Sequence, residues 1–148
     1  MNTQAAVYHM DQQLKEQNLK AYAYSIHNGA VYVILLVDMN LPSRSIVARG
    51  IAIQSPDDTP DRQMKRYWAL RRALSARKHR EASEPILLHL TRNAALLERL
   101  AAVYEAFAVG GRPVYKSQYA PVVPEGGKAR TIELAILEQI TMAPREEK

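Results

Sequence analysis

The chain has 148 residues, of which 47% are apolar and 24% charged, and its formal net charge is +5. This composition is typical of a folded globular protein, so we expect a single domain over 1–148. The absence of cysteine excludes disulfides, thiolate metal sites and thiol nucleophiles. The first residues lack the features of a secretion signal, and the longest apolar run, 30–37, is too short to cross a membrane. We therefore expect a cytoplasmic protein without a membrane partner.

The first part of the chain predicts a helix or arm followed by three strands. The predicted elements are an N-terminal polar arm or helix over 1–19 and strands over 20–27, 30–39 and 45–54. Asn28-Gly29 is the dipeptide most typical of a two-residue hairpin turn, so the first two strands are expected to pair antiparallel. The second strand is apolar on both faces and is expected in the interior of the sheet. Gly50 in the third strand predicts a bulge.

The excess positive charge of the chain lies in one segment, 59–80. This segment holds eight Lys or Arg residues and one acid, Asp61, a net charge of +7, whereas the segments before and after it each carry −1. Thr59 is a good N-cap and Pro60 suits the first helical position, which predicts a helix over 60–80. A helix so rich in cations, with no acids interleaved to neutralise them, indicates a surface that meets an anion.

Helical periodicity assigns two faces to this basic helix. Large apolar side chains share one face, namely Met64, Tyr67, Trp68, Leu70 and Leu74. The other face carries most of the cations, with Ala69, Ala73 and Ala76 between them. Arg71 and Lys78 depart from the pattern and fall on the apolar face. We expect the apolar face to be buried, so that Trp68→Ala would cost about 3 kcal/mol or more.

The rest of the chain predicts alternating strands and helices. The expected elements are a strand over 86–90, a helix over 92–108, a strand over 113–119, a helix over 131–142 and a frayed tail over 143–148. Thr91 is expected to cap the first of these helices and Gly110-Gly111 to end it. Thr131 is expected to cap the last. The buried stripe of the helix over 92–108 is expected to be Leu96, Leu97, Leu100, Val103, Tyr104 and Phe107. The fold class is α+β with a single mixed sheet, three antiparallel strands preceding the alternating elements.

Two segments are the most specific parts of a resemblance that also rests on element order. They are QMKRYWALRRAL over 63–74, which opens the basic helix, and ILLHLT over 86–91, which feeds the next helix. In element order the chain over 20–142 resembles the ribonuclease H fold. In that family, four carboxylates hold two divalent metal ions that activate a water. The corresponding positions here are Ser25, Lys65, Thr91 and Ile132, and none is a carboxylate. The resemblance therefore implies a non-catalytic relative, a pseudoenzyme with no catalytic residue, metal or cofactor.

A second resemblance competes with the first. A helix near 10–18, three strands and the basic helix follow the order of the double-stranded-RNA-binding module, whose second helix begins with lysine-type contacts to phosphate. This alternative is an α-β-β-β-α core with C-terminal additions, because the chain continues from 81 to 148 beyond that core.

Two further groups of residues are candidate sites. Asp57, Asp58 and Asp61 are expected to stabilise the N-terminus of the basic helix, where negative charge interacts favourably with the helix dipole, rather than to hold a metal ion. The loop around 112–119 mixes cations with tyrosines, which either stack bases and hold a nucleic-acid backbone or pin the loop to the core. The candidate nucleic-acid-binding residues are Arg62, Lys65, Arg66, Arg72, Arg77 and Arg80 on the helix and Arg112, Tyr115, Lys116 and Tyr119 in the loop.

The basic helix leads to two functional hypotheses. The first is a non-catalytic nucleic-acid-binding protein, for RNA or DNA, that contacts the phosphate backbone through the helix over 60–80. The second is a protein-interaction adaptor or inhibitor, of the kind a mobile element encodes, whose basic helix docks on an acidic protein partner. A metal-dependent nuclease is the enzymatic rival, and it needs carboxylates that the sequence does not place.

Overall fold

The computed structural model describes residues 3–40, 45–54, 62–84, 93–108, 123–124 and 126–142. The elements are α1 (Thr3–Glu16), β1 (Leu19–Ile26), β2 (Val31–Asp38), β3 (Ile46–Ile53), α2 (Arg62–Lys78), α3 (Ala94–Phe107) and α4 (Gly127–Met142). The described part of the chain is thus α+β, with an N-terminal helix, a three-stranded antiparallel sheet and three further helices. The three predicted strands and the basic helix are confirmed, with bounds shifted by one or two residues. The N-terminal segment over 1–19, predicted as an arm or a helix, contains helix α1 from Thr3 to Glu16.

The sheet has the order β1-β2-β3, and both pairs are antiparallel. The predicted hairpin joins β1 to β2: Asn28 and Gly29 have left-handed φ angles of 54° and 82°, which Asn and Gly tolerate best. The bulge predicted at Gly50 is wrong, because the register shift lies between Leu36 and Val37 of β2, opposite an earlier part of β3.

Gly50 serves helix packing instead of a bulge. A Cβ atom at this position would lie 1.8 Å from the Ala69 carbonyl oxygen and 2.4 Å from the Ala73 nitrogen, both in the backbone of α2. Only glycine allows α2 to approach the strand this closely.

Helices cover both faces of the sheet. On one face α1 and α2 bury a cluster that includes Leu14, Leu19, Ile34, Leu36, Val47, Ala48, Ala69, Leu70 and Ala73. On the other face α3 and α4 bury a cluster that includes Val31, Val33, Leu35, Val37, Ile51, Val103, Phe107, Ala129 and Ile140. Side chains of β2 alternate between the two clusters, which explains why this strand is apolar on both sides.

The chain leaves α2 alongside the outer edge of β3. Ser83 forms an isolated parallel bridge with Arg49, and the Arg49 amide donates to the Ala82 carbonyl oxygen over 3.0 Å. The predicted strands over 86–90 and 113–119 lie outside the described residues, as does the tail over 143–148. In the described ranges, no helix is both long enough and apolar enough to cross a membrane.

The predicted caps of the last two helices are wrong. The N-cap of α3 is Asn93, whose Oδ1 accepts from the Leu96 amide over 3.1 Å, so this role does not fall to Thr91. Helix α4 begins at Gly127, which places Thr131 inside the helix.

The buried stripe of α3 was predicted in part. Leu100, Val103 and Phe107 are buried as expected, whereas Leu97 is 42% exposed and Ala106 is buried in addition.

Candidate nucleic-acid interface on helix α2

Helix α2 faces the sheet mainly with the alanine side that the sequence assigned to solvent, together with Leu70 of the predicted apolar face. Its buried residues are Ala69, Leu70, Ala73 and Ala76, whereas Met64 is 41% and Trp68 38% exposed. The expectation of a buried Trp68 is therefore wrong. The cause is the close approach at Gly50, which leaves room for alanine side chains but not for an indole.

The exposed side of α2 carries an aromatic and cationic cluster centred on Trp68. The Tyr67 ring meets the indole edge-on with ring centroids 5.1 Å apart. The guanidinium carbons of Arg71 and Arg72 lie 5.3 and 5.4 Å from the indole centroid, which is cation–π distance. Arg71 Nη1 also donates to the Tyr67 hydroxyl over 3.2 Å. Tyr67, Arg71 and Arg72 thus pack around the Trp68 side chain at the surface. We call Tyr67, Trp68, Arg71 and Arg72 the Trp68 cluster.

Arg72 ties this cluster to the sheet. Its Nη1 donates to the Ile51 carbonyl oxygen over 2.7 Å. Burial lowers the pKa of the Arg72 guanidinium from its usual value, the Glu84 carboxylate opposes that shift and Arg71 adds to it. Arg72 is therefore a half-buried anchor rather than an open surface cation.

The first turns of α2 contact the hairpin and α1. Lys65 Nζ donates to the Gly29 carbonyl oxygen over 2.9 Å, which joins the beginning of α2 to the β1–β2 turn. Arg66 Nη2 lies 2.9 Å from Asp11 Oδ1 and forms an ion pair with α1. Both of these predicted site residues thus have intramolecular partners.

In the last turns of α2, Arg77 lies near a carboxylate, whereas the cations that follow it are exposed. Arg77 Nη2 lies 3.8 Å from Asp38 Oδ2, and its side chain is 25% exposed. Lys78, Arg80 and, at the other end of the helix, Arg62 are exposed.

The predicted helix residues therefore fall into two groups, exposed cations and cations with intramolecular partners. Of the six helix residues, Arg62 and Arg80 are exposed, and Lys65, Arg66, Arg72 and Arg77 make the contacts described above. The predicted loop residues Arg112, Tyr115, Lys116 and Tyr119 lie outside the described residues. The residues that sequence reasoning missed are Arg71 and Lys78, whose signal was their position on the same stripe as Trp68.

A groove of about 480 Å³ lies between α1 and α2. Its polar lining comes from Gln13, Gln17, Arg71, Ser75, Arg77, Lys78 and His79. Arg71 belongs both to this groove and to the Trp68 cluster, so the two sites adjoin. His79 Nδ1 lies 2.9 Å from the Ser75 carbonyl oxygen, which holds the imidazole ring against the helix.

A buried polar cluster lies under the other face of the sheet. Arg49 of β3 and Glu133 of α4 form an ion pair in which both side chains have no exposed surface. Glu133 Oε2 accepts from Arg49 Nε over 3.0 Å and from the Tyr24 hydroxyl over 2.5 Å, and the Arg49 guanidinium lies 5.3 Å from the Phe107 ring. Glu133 follows Ile132, the position where the ribonuclease H resemblance expects an acid, but its carboxylate is occupied by Arg49 and Tyr24.

The described part of the chain contains no cluster of side chains that could hold a metal ion. No group of three or more His, Cys, Asp or Glu side chains comes together there. Asp57, Asp58 and Asp61 lie outside the described residues.

Comparisons with known proteins do not assign the chain to a family. No protein-family model matches the chain, and no curated protein or solved structure is detectably similar to it.

Proposed function

We propose that this chain is a non-catalytic nucleic-acid-binding protein and that the exposed side of α2 is its contact surface. The observation that carries the proposal is the Trp68 cluster, an exposed indole with two arginines at cation–π distance, on a helix that has no acid from Arg62 to Arg80. The exposed cations Arg62, Lys78 and Arg80 extend that surface along the helix.

The two kinds of side chain would supply two kinds of contact. Arginine and lysine neutralise backbone phosphates and release counterions, which gives salt-dependent affinity with little sequence preference. An exposed aromatic ring with a neighbouring guanidinium offers a surface on which a base can stack, a contact of about 1–3 kcal/mol per base. The proposal therefore differs from the sequence hypothesis, in which the helix supplied phosphate contacts and base stacking was assigned to the loop over 112–119.

The arrangement of the first 78 residues supports the double-stranded-RNA-binding-like alternative more than the ribonuclease H-like one. Helix α1, the three strands and α2 follow the α-β-β-β-α order, and both helices pack on one face of the sheet. The Lys65 contact to Gly29 brings the beginning of α2 to the β1–β2 turn. Helices α3 and α4 would then be the C-terminal additions.

The absence of catalysis is proposed from the residues at the positions where the ribonuclease H resemblance expects carboxylates. Ser25 is exposed on β1, Lys65 bonds to the hairpin, and the nearby acid Glu133 is buried against Arg49. A carboxylate neutralised by an arginine is a poor metal ligand.

An acidic protein partner is the second candidate. Exposed Trp, Tyr and Arg are the residue types that dominate protein–protein hot spots, and Met64 is exposed on the same helix. The Trp68 cluster would suit such a partner as well, so the test has to separate the two.

Labelled oligonucleotides provide that test. Fluorescence anisotropy would measure the affinity for single-stranded and duplex RNA and DNA over a series of salt concentrations. We expect Arg71→Gln to reduce the salt slope by about one unit and Trp68→Leu to weaken single-strand binding by about 1–3 kcal/mol. Lys15→Gln, an exposed change on α1, is the control and should leave affinity close to that of the parent.

The same variants check that folding is intact. Because Trp68 is partly exposed, Trp68→Leu should cost only about 1 kcal/mol of stability, the scale of its cation–π contacts, rather than the loss expected for a core indole. If the parent protein shows no salt-dependent binding to any of the four nucleic acids, the proposal fails and the acidic protein partner becomes the better hypothesis.

A further inference from the structure

We propose that the groove between α1 and α2 binds a phosphate monoester. The groove lies beside the C-terminal halves of the two helices, with Gln13 and Gln17 on the α1 side and Arg71, Arg77 and Lys78 on the α2 side. Its volume of about 480 Å³ falls in the range of small-molecule sites.

The described lining is mostly polar, with Leu74 as its apolar member and no carboxylate among the lining residues. Three cations, the His79 imidazole, two side-chain amides and the Ser75 hydroxyl line the groove. A phosphate monoester matches this set because it carries nearly two negative charges at neutral pH and three strong acceptor oxygens. Arg77 already lies 3.8 Å from Asp38 Oδ2, whereas a neutral or cationic ligand would contribute no negative charge toward Arg71 and Lys78.

Arg77 and His79 retain hydrogen-bonding capacity in this arrangement. The Nε–H of Arg77 is buried and has no acceptor among the described residues, so it could reach a groove ligand only if the side chain moved. The Nη2 atom of Arg77 is 3.8 Å from Asp38 Oδ2, beyond hydrogen-bond distance. His79 directs Nδ1 toward the Ser75 carbonyl oxygen. In the neutral ring Nε2 is then an acceptor, which can meet a protonated phosphate oxygen, and in the imidazolium it is a donor.

The source of the phosphate follows from the neighbouring Trp68 cluster. Arg71 lines the groove and contacts the indole, so a phosphate in the groove would place an attached nucleoside near Trp68. The ligand is thus either the terminal phosphate of a nucleic acid or a free nucleoside monophosphate. The first source rests on the proposed function, and the second does not.

The test compares a groove variant with a matched control. Lys78→Gln/His79→Gln removes one cation and one imidazole from the groove. Lys15→Gln/His9→Gln removes the same two kinds of group from exposed positions of α1 outside the groove lining. Thermal melting of both double variants checks that each is folded.

Each protein is titrated with one oligonucleotide that carries either a terminal phosphate or a terminal hydroxyl. We expect the parent and the control to bind the phosphorylated form about tenfold more tightly, as charge-assisted hydrogen bonds to one dianion would give. In the groove variant the two forms should bind with nearly equal affinity. Calorimetry with a nucleoside monophosphate and with its nucleoside distinguishes the second source, because only the monophosphate should bind, and the groove variant should lose that binding.

The outcomes separate this inference from the proposed function. If no oligonucleotide binds but the monophosphate does, the phosphate site in the groove is supported and the proposed nucleic-acid binding is contradicted. If the parent binds both oligonucleotides equally and binds no monophosphate, or if the groove variant keeps the parent's preference, the phosphate site is overturned.

Discussion

Arg49 and Glu133 form a contact between distant parts of the chain that constrains the whole structure. Removing both charges from water is costly, and the ion pair offsets this cost only because its geometry is complete. The Tyr24 hydroxyl and Arg49 Nε both reach Glu133 Oε2, and Phe107 covers the guanidinium. Because the partners come from β1, β3, α3 and α4, the cluster fixes the position of the C-terminal helices on the sheet.

Removing one charge of this pair should be far more damaging than breaking a surface pair. We expect Glu133→Gln to destabilise the protein by about 3–5 kcal/mol, since Arg49 would remain charged and buried without a counterion. Asp11→Asn, which breaks the partly exposed pair with Arg66, should cost less than about 1 kcal/mol. Urea denaturation of both variants measures the difference.

The double variant Arg49→Met/Glu133→Leu tests whether the unpaired buried charge of Arg49 causes the loss of stability. It removes both charges and should recover most of the stability lost in Glu133→Gln. Equal stabilities for Glu133→Gln and Asp11→Asn would contradict the burial of the pair.

At the scale of elements, the contact between α2 and β3 decides which side of the basic helix faces solvent. Gly50 lets the backbone of α2 approach, and Ala69, Ala73 and Ala76 fill the narrow space. The large side chains Met64 and Trp68 are thereby turned outward. The surface that we propose for binding is a consequence of one glycine in a neighbouring strand.

A methyl group at Gly50 should therefore disturb the binding surface as well as stability. In Gly50→Ala the new Cβ would collide with the backbone of α2, which has no flexible end that can move aside. We expect a loss of about 3 kcal/mol or more, as for severe overpacking, and weaker oligonucleotide binding as α2 shifts. Gly126→Ala is the control, because its Cβ would meet only the Ala108 Cβ at 3.3 Å, and it should cost about 1 kcal/mol or less. A Gly50→Ala variant with the melting temperature and affinity of the parent would show that the close approach at Gly50 does not determine how α2 packs.

Local sequence signals were sufficient for the strands and for the existence of α2. The Asn28-Gly29 turn, the apolar run of β2 and the dense charge of the basic helix each act within a few residues. The facing of α2 could not be predicted in this way, because it depends on Gly50 in another element. The usual rule that large apolar residues lie inside was overridden by the space available. The Arg49–Glu133 pair was missed for a similar reason, since its residues lie 84 positions apart and no local pattern links them.

At the scale of the whole molecule, one sheet provides the core for both helix layers. Adjacent residues of β2 point to opposite clusters: Ile34 belongs to the α1–α2 side and Leu35 to the α3–α4 side. A strand shared in this way cannot lose one layer without exposing its apolar side chains to water. The arrangement agrees with the expectation of a single domain, which stays a prediction until the unfolding transition is measured.

We expect the two helix layers to unfold together in one cooperative transition. The fluorescence of Trp68, the only tryptophan of the chain, reports on α2, and amide hydrogen exchange in α3 reports on the opposite layer. In urea the midpoint from Trp68 fluorescence should coincide with that from far-ultraviolet circular dichroism, and the most protected amides of α2 and α3 should exchange with the same free energy of opening. In Glu133→Gln, which weakens the link between α4 and the sheet, the exchange free energies of both helices should fall by the same amount. If only the α3 amides lose protection, the two layers are separate folding units and the chain does not behave as one domain.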